Sequence, residues 1–139
     1  MWLFTPHGFY SAVSALDGGK VDPTRVCVRA RVRRHLLALC RAYPTAFGPK
    51  DVARSDTSDY RYRVVLPRRV WVDIVTDLAA DVDYPNFKSA AKAAHPADHG
   101  YHDALLRVWC VMAGLQRGEG RQALDALRPG GKHEPPPLS

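Results

Sequence analysis

From Val26 the chain alternates with a period of two, with Val26, Val28, Ala30 and Val32 on one side and Cys27, Arg29, Arg31 and Arg33 on the other. Successive side chains of a strand point to opposite faces, so this run predicts a half-buried strand with an apolar inner face and a basic outer one. The pattern returns at residues 60–66, where Tyr60, Tyr62, Val64 and Leu66 face one way and Arg61 and Arg63 the other. Two such strands need a covering layer on their apolar side only.

Helices supply that layer. His35 to Ala42 suits a helix, with Leu36, Leu37 and Cys40 spaced for one face, and Pro44 ends it because it disfavours helical geometry at Tyr43. Pro67 closes the second basic strand and opens a helix whose Trp71, Ile74, Val75, Leu78 and Val82 recur at helical spacing. A short helix is expected over Phe87–Ala94. A longer one, roughly over 100–117, carries Tyr101, Leu105, Val108, Met112 and Leu115 as an apolar stripe, with Gly118-Glu119-Gly120 as its end. Ahead of all this, residues 2–14 read as strand broken at Pro6-His7-Gly8. Asp17-Gly18-Gly19-Lys20 is a turn that Asp22-Pro23 extends into a loop, and a short edge strand is placed near Val52. The expectation is an α+β domain over 1–128, a small antiparallel or mixed sheet with helices on one face, with a ferredoxin-like or related sandwich as the nearest architecture. The Pro/Gly-rich segment 129–139 is expected to be disordered.

Charge is polarised along the chain. The net charge is +6, but residues 25–69 hold twelve basic residues against three acidic ones, and residues 70–105 hold six aspartates against two lysines. If the two basic strands are neighbours, Arg29, Arg31, Arg33, Arg61 and Arg63 share one surface. Phosphate oxygens are the natural partners of such a surface, because guanidinium offers forked donors and stays charged at any working pH. A non-enzymatic nucleic-acid or polyanion binder follows as the leading function; six phosphate contacts would lose roughly 10³-fold in affinity between 50 and 200 mM salt. Tyr60 and Tyr62 alternate out of phase with Arg61 and Arg63, so this reading gives the arginines no aromatic neighbours for stacking bases, and the stretch lacks the glycines and phenylalanines of an RNP1 motif.

Other constellations are weaker. His95, His99, His102 and Asp103 could supply a metal site or a general base, yet their spacing fits no motif with a defined mechanism, and Asp98 or a neighbour reads equally well as a helix cap. Asp73, Asp77 and Asp81 stack at i, i+4 and i+8. That acidic row could meet the basic strands of a second copy, which makes a self-associating assembly protein the alternative function. Nucleophile and dinucleotide motifs are absent, so the reading leans away from an enzyme and calls for no cofactor. Cys27, among arginines, would have a lowered thiol pKa. Three widely spaced cysteines, no secretory signal and no apolar run near the ~18 residues of a membrane span point to a cytoplasmic protein with reduced thiols and no membrane partner.

Several stretches also carry a likeness. Trp2-Leu3-Phe4-Thr5 with Gly8-Phe9-Tyr10-Ser11, Asp59-Tyr60-Arg61-Tyr62-Arg63, Asp83-Tyr84 with Asn86-Phe87-Lys88, and Tyr101-His102-Asp103-Ala104-Leu105 with Val108-Trp109 resemble a family of small uncharacterised bacterial proteins over about residues 1–116. The resemblance implies a bacterial cytoplasmic setting, brings no activity with it, and marks the Asp83–Lys88 loop as a place to look.

Overall fold

Alternation, turn chemistry and helix spacing resolve, in the computed structural model, into five strands and four helices. The structure describes residues 1–126; segment 129–139, read above as disordered, lies outside the described residues. The strands are β1 (Trp2–Thr5), β2 (Gly8–Asp17), β3 (Lys20–Ala30), β4 (Ala53–Arg54) and β5 (Tyr62–Pro67). The helices are α1 (Arg33–Ala42), α2 (Arg68–Ala80), α3 (Phe87–Ala94) and α4 (His99–Ala126). The sheet runs β1-β2-β3-β5-β4 with every neighbouring pair antiparallel. This is an α+β fold. Its connectivity, three meandering strands, a helix, two further strands and three helices, differs from the βαββαβ order of a ferredoxin-like sandwich. Two compact units make up the chain, Met1–His99 and a second beginning at Gly100.

The first unit has one core. Tyr10 and Ala12 of β2, Val26, Val28 and Ala30 of β3, and Val64 and Leu66 of β5 all point to the same side. There they meet Leu36, Leu39 and Cys40 of α1 and Trp71 and Ile74 of α2. In α1 the register places Leu39 in the core where the sequence suggested Leu37, which is half-buried. Val82 lies past the end of α2 and is exposed, so that helix's stripe stops at Leu78.

Local chemistry fixes the ends. Gly18 and Gly19 both take positive φ in the β2–β3 turn, as a two-residue hairpin loop demands. Asp22-Pro23 does not lengthen that loop. Val21 and Asp22 still pair with Leu16 and Ala15, and the ladder then skips to Val26 opposite Ser14, so residues 23–25 form an irregularity within β3. Proline has no N–H to give a ladder and fits at such a point, where Asp22 accepts hydrogen bonds from the Thr24 backbone and hydroxyl. Asn86 caps α3 by accepting from the Ser89 N–H. Gly118 and Gly120 do not end α4; neither takes a positive φ, and the helix runs through to Ala126.

Candidate nucleic-acid interface

The opposite face of the sheet is built from the residues left over by that core. Period two turns Cys27 and Arg29 of β3 away from α1 and α2. Register then decides the neighbours of Arg29: Ser11 of β2 on one side, Arg63 of β5 on the other, with Trp2 of β1 beyond Ser11. A row Trp2–Ser11–Arg29–Arg63 therefore crosses four strands. The next row brings Phe4 opposite Phe9.

Two kinds of side chain share this face. On β1 and β2 the aromatics cluster: Phe4 stacks on Phe9 at 4.6 Å between centroids, and Trp2 meets Phe9 edge-on at 5.8 Å. On β3 and β5 lie the guanidiniums. Between them sits Tyr60. Its chain segment, residues 55–61, precedes β5, so the ring escapes the strand's alternation. It lies against Phe9 at 6.4 Å, with the guanidiniums of Arg29 and Arg31 over it at 4.6 and 4.5 Å. Cation–π contacts of this length hold two flexible side chains in place. Alternation alone places Tyr60 on the inner face with Tyr62; in the fold it belongs with the arginines and is buried among them.

The charges here meet only neutral acceptors. Arg29 Nη2 donates to Ser11 Oγ at 2.8 Å, Arg31 Nη1 to the Asp59 carbonyl at 3.1 Å, and Arg63 Nη2 to the Tyr60 carbonyl at 3.2 Å. Among the described residues no carboxylate lies within ion-pair distance of these three arginines, and Arg29 Nε, Arg63 Nε and the Tyr60 hydroxyl have no hydrogen-bond partner. A buried donor without an acceptor and a group of like charges both cost free energy. The cluster has more donor capacity than the chain satisfies.

The remaining predicted residues fall elsewhere. Arg33 is the first residue of α1, not the end of β3, because Val32 takes the extended conformation of an N-cap and the helix starts at once. Arg61 lies outside β5 and approaches Asp56 at 4.0 Å. Burial pushes the Cys27 thiol upward, and the opposing pull of Arg63 and Arg29 is the smaller effect, which reverses the expected lowered thiol.

Within the histidine segment, Asp98 is tied to α1. Asp98 takes a forked pair of bonds from Arg34, Nε at 2.8 Å and Nη2 at 2.6 Å, and its Oδ2 stands 3.3 Å from His35 Nε2. His35 Nδ1 accepts the Phe9 N–H at 3.3 Å. Both ring nitrogens are thus engaged, tying the start of α1 to the β1–β2 turn and to the loop before α4. Gly8 makes room: a Cβ there would sit 2.5 Å from the imidazole, and its φ is +149°. Burial lowers the His35 pKa despite the neighbouring Asp98. His95 ends α3 with its ring 6.1 Å from that of His7, while His99 opens α4. His102 and Asp103 belong to the second unit. Among the described residues no three His, Cys, Asp or Glu side chains are grouped to hold a metal ion. Asp73 is taken up by Arg69 at 3.2 Å, which interrupts the acidic row.

The sequence reading missed Trp2, Phe4, Phe9 and Ser11. Their signal was present: a tight Pro6-His7 turn places Phe4 opposite Phe9, and continuing that register carries Trp2 to Ser11. No family model, curated protein or solved structure matches this chain. No helix among the described residues is long and apolar enough to cross a membrane.

Proposed function

We propose that the outer face of the sheet binds nucleic acid through its phosphate backbone, with Arg29, Arg31 and Arg63 as the principal contacts and Arg61 at the rim. Arg33, in α1, is left out of the contact set. The observation that carries this reading is the absence, among the described residues, of any carboxylate paired with those three guanidiniums. Arg34 offers the contrast: its charge is answered within the fold by Asp98. Phosphate would supply charged acceptors to a cluster that now meets only a hydroxyl and carbonyls, and charge-assisted bonds are roughly twice as strong as neutral ones. The test is anisotropy of a labelled oligonucleotide at 50 and 200 mM salt. Three phosphate contacts predict a roughly twenty-fold loss on a single strand across that range. Equal affinity at both salts, or no binding at 50 mM, would remove the proposal.

Self-association is the second reading. The sequence suggested it through charge; what favours it now is the exposed apolar surface of α4, where Trp109 is 58%, Val111 73% and Leu115 64% accessible. Apolar surface of that extent often marks a protein interface. Light scattering checks it: a discrete oligomer supports it, and a monomer at high concentration dismisses it.

A further inference from the structure

We infer that the nucleic acid taken by this face is single-stranded, with an unpaired base stacking on Trp2, which the Phe4–Phe9 pair braces, while Arg29, Arg31 and Arg63 hold the flanking phosphates. The inference rests on the phosphate-binding reading above and adds what the aromatic half of the face does.

Trp2 carries the argument. It is 69% exposed and stands in the same cross-strand row as Arg29 and Arg63, with Ser11 between it and Arg29. It is also held in place. The Met1 amine donates to the Ala12 carbonyl at 2.8 Å and the Ala12 N–H returns a bond to the Met1 carbonyl at 2.8 Å, so pairing continues past the first strand residue. Phe9 braces the indole edge-on, and Phe4 braces Phe9. A large aromatic side chain kept open to solvent on a fixed backbone is ready to stack at low entropic cost.

The spacing suits a nucleotide. Strands lie about 4.8 Å apart, so the backbones at Trp2 on β1 and Arg29 on β3 are separated by about 10 Å, and Arg29 reaches back from β3 to Ser11 on β2. A base on the indole thus leaves its phosphate toward β3 and β5. Single-strand binders combine these two elements, aromatic side chains for bases and a basic track for the backbone. A duplex keeps its base faces inside its own stack and would engage only the arginines. Tyr60 is not a stacking surface here. Its ring is occupied by Arg29 and Arg31, and it acts by positioning them.

The experiment uses the full chain with three labelled probes of equal length: a uridine-rich RNA, the corresponding single-stranded DNA, and a blunt DNA duplex. Variants are Trp2→Ala, Trp2→Phe and Arg63→Ala, each checked by circular dichroism and thermal melting. Expected is single-strand affinity at least ten-fold above duplex, whichever sugar is preferred. Trp2→Ala should lose about ten-fold on single strands with the salt slope intact, and Trp2→Phe should recover most of it. Arg63→Ala should flatten the slope by about 0.7. Equal binding of duplex and single strand, or an inert Trp2→Ala beside a weakened Arg63→Ala, overturns the stacking claim and leaves phosphate binding standing. No binding of any probe, or capture of a protein partner alone, ends both.

Discussion

The two faces of the sheet come from the same strands and differ by one step in sequence, yet they are organised on opposite principles. On the inner face, Val28, Val64 and Leu66 are buried against the apolar side chains of α1 and α2. On the outer face, Arg29 and Arg63 sit directly opposite one another with neutral acceptors only, beside an indole left open to water. The inner face is optimised for stability. The outer face carries like charge and unpartnered donors, costs that packing does not explain, and that contrast is what supports the binding proposal.

This contrast can be broken by experiment. The largest expected effect belongs to the inner face: Leu39→Ala should destabilise by about 2–5 kcal/mol, read from urea denaturation, because its removed methyls leave a cavity. A loss well below 1 kcal/mol would mean the core is not where the packing places it. Gly8→Ala comes next. Its Cβ collides with the His35 ring and its φ is one that L side chains rarely adopt, so about 2–3 kcal/mol should be lost. Restoration by a smaller residue at His35 would show that the clash, not the backbone, dominates.

Acidification gives a smaller effect with a definite sign. Burial holds the His35 pKa below its ordinary 6.5, and His7 moves the same way through burial and the nearby His95. The unfolded chain therefore binds protons first. Stability from these neutral histidines is complete above the unfolded value and is lost as pH falls through it toward the lower folded values. Denaturation midpoints should drop between pH 7 and 5, less steeply in His35→Gln. A midpoint that rises on acidification would contradict the assignment. Smallest on stability is Arg63→Ala, expected within about 1 kcal/mol of the parent, since the outer face contributes little to the core.

Much of the inner face was legible in the sequence, because period two and helical spacing are local signals. Val26, Val28, Ala30, Val64 and Leu66 followed from alternation alone, and Trp71 with Ile74 from spacing after Pro67. The outer face was legible by half. Alternation exposed Arg29 and Arg63, but whether two strands are neighbours, and in which register, is set by packing across the chain. Pairing Trp2 with Ser11 and Ser11 with Arg29 is what joined aromatics to arginines. Tyr60 was misplaced because β5 begins two residues later than its alternation suggested, and Arg33 because nothing in Val-Arg-Ala-Arg-Val-Arg marks where extended chain turns to helix. Asp98 lay in a segment rich in histidine, but its partner His35 is distant in sequence, and only the folded chain brings them together.

One titration bears most directly on the central claim: affinity for a single-stranded oligonucleotide against salt, for the parent protein and for a double variant, Arg29→Ala with Arg63→Ala. The account predicts a log–log slope of about −2 for the parent, reduced in magnitude by about 1.4 in the variant. A flat parent, or identical slopes for both, would contradict it.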